Sequence, residues 1–126
     1  MKVSLREVRY DWEDEDALNR CDVGADVNFE LVADDTYTFG HIYISKDTET
    51  ADGTPCPVYI NWVEFLSIFQ YKHLLCSTLN AVYDMFGEFY LEASEENAEK
   101  YRHLGAVSQG FDEVTELEKF KYKKAA

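Results

Sequence analysis

The sequence is poor in proline and glycine, with two and six residues respectively in a chain of 126. With nearly half its residues apolar or aromatic, that scarcity excludes a disordered or low-complexity chain. It has no apolar run long enough to cross a bilayer, and MKVSLREVRY reaches charged residues before a signal-peptide core can form. Its three cysteines, Cys21, Cys56 and Cys76, are an odd set without C-x-x-C spacing. They argue against a disulfide framework and for reduced thiols in a cytoplasmic protein. Basic residues are scarce too, 12 against 25 acidic ones, for a formal charge of -13. Such a field repels nucleic acid and anionic membranes and attracts basic proteins. No phosphate-binding Walker loop, no G-x-G-x-x-G and no G-x-S-x-G is present, so no cofactor is implied.

What is present fits one domain, residues 1–126, of the α+β class: a small antiparallel sheet packed against a long, broadly apolar helix, plus one or two shorter helices. Val3, Leu5 and Val8 suggest a first or edge strand. Val27, Phe29 and Leu31 alternate with Asp26, Asn28 and Glu30, the pattern of a strand with one buried and one wet face. Asp34-Asp35 and the run TYTFGHIYI then predict a hairpin over 25–44, with Gly40 as a mark of a bulge. SKDTETADGTPCP reads as a loop before a short strand at 58–60. Asn61 with Glu64 resembles a capping box, so the spacing of Phe65, Ile68, Leu75, Leu79, Val82 and Phe86 predicts a helix over 62–86, which Gln70-Tyr71-Lys72 can equally split. Gly87 ends it, 88–93 reads as a strand, Ser94 caps a helix over 95–104, and Gly105 stops that one. Threefold spacing of Phe111, Val114, Leu117 and Phe120 favours a terminal helix.

The acidic stretch DWEDED supplies alternate carboxylates like the start of a calcium loop, but Asp16 stands where that loop needs Gly and Asp22 where it needs Glu. His73 and Cys76 share helical i, i+3 spacing, yet two ligands do not make a zinc site, and a mid-helix cysteine lacks the electropositive surroundings of a nucleophile. The lysines of KFKYKK are too few to turn so acidic a chain toward nucleic acid. No catalytic residue and no metal ligand is assigned.

From Asp11 to Asp35 there are ten acids and one base. Carboxylates two residues apart on a strand repeat at about 6.6–7 Å, near the pitch of phosphates along a nucleic-acid strand. In size, acidity and aromatic content the chain resembles phage-borne anti-CRISPR proteins and the immunity proteins of nuclease toxins. That resemblance implies a non-enzymatic inhibitor, a nucleic-acid mimic that binds a basic nucleic-acid-handling protein such as a nuclease. Asp11, Trp12, Glu13, Asp14, Glu15, Asp16, Asp26, Glu30, Asp34, Asp35 and Tyr37 would form the partner surface, with charge steering association and aromatic residues anchoring it. The alternatives are a small metal-dependent enzyme or metal-binding module built on the acidic cluster, and a dimeric scaffold whose broad helix forms a homodimer seam. Direct contact with nucleic acid or membrane is not expected.

Overall fold

The structure is a computed structural model and describes residues 2–8, 25–50, 53–66 and 72–124. Among these residues seven strands and two helices follow in the order β1 (Val3–Glu7), β2 (Val27–Ala33), β3 (Tyr37–Glu49), β4 (Pro55–Phe65), α1 (Lys72–Phe86), β5 (Phe89–Ser94), α2 (Glu95–His103), β6 (Val107–Asp112) and β7 (Leu117–Tyr122). The strands form one sheet in the order β1-β2-β3-β4-β5-β7-β6. Pairing is antiparallel except between β4 and β5, which run parallel with α1 as their crossover.

The 25–44 hairpin is present, and its chemistry is local. Asp34 and Asp35 take φ of 51° and 57°, and Thr36 N–H donates to Ala33 C=O at 3.0 Å. Two successive left-handed residues give the tight hairpin turn whose twist matches the flanking strands, and Asp tolerates that conformation better than most residues. A register shift sets Phe39 as an extra residue on β3, beside Gly40. A Cβ at Gly40 would lie 2.2 Å from the Glu64 carbonyl oxygen, so glycine is needed for β3 and β4 to approach.

Odd residues of β2 and, from Gly40 onward, even residues of β3 line the face covered by α1, where the Phe29 and Phe86 rings meet edge-on at 6.0 Å. Both helices lie on this face. Tyr101 of α2 stacks near Phe120 of β7 at 6.1 Å, and Tyr122 of β7 donates to Asn80 of α1. The shared core contains Leu31, Phe39, Ile42, Ile44, Leu79, Val82, Phe89 and Phe120. Gly87, at φ +80° with its N–H donating to Tyr83 C=O, closes α1 as expected.

Four expectations are corrected. The sheet is large and mixed, and among the described residues no long helix packs on it, α1 having 15 residues and α2 nine. Residues 62–65 are the end of β4, because Val63 and Phe65 alternate with Trp62 and Glu64, a period of two that the threefold count concealed. Asn61 is consequently a strand residue and not a helix cap. The segment expected as a loop after Ile44 is mostly strand, since β3 continues to Glu49 and β4 starts at Pro55, and Lys119 Nζ donates to Thr54 Oγ1 at 2.6 Å to tie the hairpin end to β7. The predicted terminal helix is the β6–β7 hairpin. Val114 is 93% exposed in its turn, where Asp112 Oδ1 accepts from Val114 N–H at 2.8 Å, so its place in the apolar spacing was accidental.

Candidate functional site at the divergence of two strands

The parallel pair has one registered position, Tyr59↔Tyr90. Beyond it β4 follows β3 out to Gly40↔Phe65, while β5 follows β7 to Ser94↔Leu117. Among the described residues no ladder joins 61–65 to 91–94, so the carboxyl ends of β4 and β5 diverge. In open sheets with parallel strands, crevices at such carboxyl ends are where ligands bind.

The cause is visible in the register. Tyr43 pairs with Trp62 and Ile44 with Ile60, which leaves Asn61 as one extra residue on β4. A bulge of this kind bends its strand, ends regular pairing and re-aims side chains, and bulges concentrate beside functional sites. Before it, Cys56, Val58 and Ile60 face the helices; after it, Val63 and Phe65 do. Asn61 Oδ1 is buried with no hydrogen-bond partner among the described residues, an acceptor left over at the bulge. His41 Nδ1, on β3, is in the same condition.

Pairing places Tyr59, Trp62 and Glu64 of β4 and Tyr90 and Glu92 of β5 on the sheet face away from the helices. Tyr59 donates its hydroxyl to Glu92 Oε1 at 3.2 Å, bridging the two strands where they part. Burial, and next the charge of Glu92, push the Tyr59 phenol well above its ordinary range, so it stays protonated. Trp62 is 57% exposed, and its Nε1 donates to Glu64 Oε2 at 3.4 Å. The rim therefore offers an indole face and two carboxylates, one from each strand.

Of the residues expected to bind a partner, Asp11, Trp12, Glu13, Asp14, Glu15 and Asp16 lie outside the described residues. The others do not form a continuous acidic ribbon. Asn28 and Glu30 are each 4% exposed, so the face of β2 expected to be wet is buried, and Glu30 accepts from Arg6 Nε at 3.0 Å. Asp26 Oδ2 accepts from the Lys46 backbone N–H at 2.6 Å, Asp34 Oδ1 from the Lys2 backbone N–H at 2.8 Å, and Asp35 lies near the Lys2 ammonium at 3.9 Å. Tyr37 is exposed at the hairpin end. None of them belongs to β4 or β5. Among the described residues no group of three or more His, Cys, Asp or Glu could hold a metal, and no helix is long and apolar enough to cross a membrane.

The crevice residues Tyr59, Asn61, Trp62, Glu64 and Glu92 were not singled out from the sequence as a site. The signal was the switch of apolar positions from even (56, 58, 60) to odd (63, 65) at Asn61. Inside a run rich in Val, Ile and aromatics, that switch marks a bulge.

This sheet order, with a parallel pair that splays in its middle, resembles that of the GNAT acetyltransferase fold. Solved structures similar to the chain include the spermidine/spermine N-acetyltransferase SpeG of Vibrio cholerae in mutant form, at 12% identity and a TM-score of 0.58, covering 97% of this chain and 95% of that one. The N-acetyltransferase YlbP of Bacillus subtilis in complex with coenzyme A is similar at 6% identity and a TM-score of 0.61, covering 97% of both. A KacTA–DNA complex is similar at 20% identity and a TM-score of 0.57, covering 97% and 93%. No family model and no curated protein matches the sequence. The likeness is one of fold, and it corrects the expectation of a non-enzymatic, nucleic-acid-mimicking inhibitor related to anti-CRISPR or immunity proteins. N-acetyltransferases share the whole architecture, and the acidic ribbon on which the inhibitor reading depended is interrupted by burial of Glu30.

Proposed function

We propose that the protein is an N-acyltransferase that moves an acyl group from a pantetheine thioester of the coenzyme A class to the amine of a cationic acceptor. The observation that carries this reading is the bulge at Asn61, where β4 leaves β5 and turns a strand edge toward the opening. The two amides of a pantetheine arm offer N–H and C=O groups that can add to such an edge as a short strand. The orphaned Asn61 Oδ1 supplies one further acceptor, so the residues present fit the arm. A similar structure solved with coenzyme A supports a ligand of that class.

When bound, the thioester supplies an activated carbonyl carbon with a thiol leaving group. The protein's part is to hold that carbon beside the acceptor and to manage charge. As the extra residue of the bulge, Asn61 is released from the β3 ladder, and its backbone N–H is a donor for the carbonyl oxygen as negative charge develops there. Glu64 and Glu92 attract an ammonium group and can take its proton, and the open Trp62 ring accepts the cation on its face. The overall charge of -13 draws cations to the crevice, and one similar enzyme acts on spermidine and spermine, both polycations. A cytoplasmic setting belongs to this reading and agrees with the free thiol of Cys76.

Titration calorimetry with coenzyme A tests the donor side. One saturable site is expected, with a Kd of roughly 1 µM to 1 mM, the usual substrate range. Absence of binding, with no rise in melting temperature at saturating ligand, would contradict the reading.

A further inference from the structure

We infer that the acceptor carries two ammonium groups about 8 to 11 Å apart, one held by Trp62 and Glu64 on β4 and the other by Glu92 on β5. The inference rests on the acyltransferase reading and narrows its acceptor to linear amines with two well-separated charges.

On the sheet face away from the helices, β2, β4 and β5 carry Glu30, Glu64 and Glu92. Glu30 is buried and paired with Arg6. Among the described residues neither Glu64 nor Glu92 is in an ion pair, and each is oriented by a neutral aromatic donor, Glu64 by Trp62 Nε1 at 3.4 Å and Glu92 by the Tyr59 hydroxyl at 3.2 Å. Such donors hold a carboxylate in place without supplying counter-charge. Lys119 stands opposite Glu92 in the ladder, but its ammonium donates to Thr54 Oγ1 at 2.6 Å. Beside Glu64, the exposed Trp62 pairs across the strands with Tyr43, so two aromatic rings adjoin that carboxylate. A ring face attracts an ammonium through its charge, so the group held there is one that stays protonated.

The separation follows from the register. Tyr59 and Tyr90 are level, with Glu92 two residues beyond Tyr90 and Glu64 five beyond Tyr59, one of the five in the bulge. At about 3.3 Å per residue and at least about 4.8 Å between strands, Glu64 and Glu92 leave the sheet about 8 to 11 Å apart. A single ammonium, with hydrogen bonds of about 2.8 Å, reaches both only when the carboxylates come within about 6 Å of each other. One cation therefore offsets one carboxylate, and a second cation at matching distance offsets the other. Glu92 is level with Asn61 across the gap, so the amine it holds is the one presented at the bulge. A methylene chain with bonds of about 1.5 Å advances about 1.25 Å per bond, so three methylenes set two nitrogens about 5 Å apart and six to eight set them about 9 to 11 Å apart.

The test is calorimetric titration of the intact protein, without donor, with straight-chain diamines of three, four, six and eight methylenes and with monoamines of the same lengths, at about 50 and 300 mM salt. Diamines of six and eight methylenes are expected to bind about three- to tenfold more tightly than the diamine of three and than their own monoamines, the gain from a second charge contact that the chain makes intramolecular. That advantage should shrink at the higher salt and vanish in Glu64→Gln and in Glu92→Gln, and the length series on the wild type needs neither variant. Equal affinity for short and long diamines, a rise with length that the monoamines share, an advantage that survives Glu64→Gln, or failure of every amine to bind would overturn the inference. Saturable coenzyme A binding by the same preparation would then leave the acyltransferase reading in place, and its absence would overturn both.

Discussion

Tyr59 on β4 donates a hydrogen bond to Glu92 on β5 at 3.2 Å, at the last position where the two strands are in register. The bond ties the strands just before the bulge at Asn61 separates them. Tyr59 is thus a hinge pin for the crevice, and its neutral hydroxyl holds Glu92 on the rim.

Replacing Tyr59 with Phe removes that tie. A hydrogen bond of this kind contributes about 1 kcal/mol, and Y59F is expected to lose about that much stability at pH 7. The pH dependence has a definite sign. The folded state raises the phenol above its ordinary value near 10, so the associated stability is intact below pH 10 and declines as pH rises beyond it. Urea unfolding at pH 7, 9 and 10.5 should show a shallower alkaline loss in Y59F than in the wild type. Equal losses would refute the placement of Tyr59 in a desolvated, Glu92-facing position.

Arg6→Met should cost about 2 kcal/mol, because it withdraws a charged donor from the buried Glu30 carboxylate. Glu30→Gln in the same background should restore part of the loss by removing the buried charge. Denaturant midpoints of the two single variants and the double variant form the cycle that measures this; strict additivity would contradict a direct Arg6–Glu30 interaction.

Much of the fold was legible where local chemistry is decisive. The Asp34-Asp35 turn, the bulge beside Gly40, the Gly87 stop and the helix between Ser94 and Gly105 all follow from residues whose backbone preferences act over a few positions, although the Ser94 side chain makes no capping hydrogen bond. The site was not legible in the same way. Asn61 has the identity of both a helix cap and a bulge residue, and only pairing with β3, set by distant Tyr43 and Ile44, decides between them. Val63 and Phe65 satisfy helical spacing and strand alternation alike. The acidity of β2 misled for the opposite reason: Glu30 looks exposed by sequence, but Arg6, 24 residues away, allows its burial.

Deleting Asn61 should preserve the sheet and abolish the crevice. In the deleted chain Ile60 and Trp62 become neighbours and pair with Ile44 and Tyr43 in unbroken alternation, so Val63 and Phe65 keep their faces. Circular dichroism and melting should remain those of a cooperative fold, while affinity for coenzyme A falls by about tenfold or more, a loss of about 1.4 kcal/mol. A folded deletion variant with unchanged affinity would show that the bulge does not open the binding site.

Acyl transfer itself is the most direct measurement. Thiol release from acetyl-coenzyme A, followed with spermidine, spermine and lysine-rich peptides as acceptors, should proceed with at least one cationic amine. It should weaken with neutral amines and fall by about 100-fold when Glu64 and Glu92 are both replaced by glutamine, the scale of losing a positioned proton acceptor. No acceptor-dependent thiol release from a folded protein that binds the donor, or turnover untouched by the double replacement, would contradict an acyltransferase centred on this crevice.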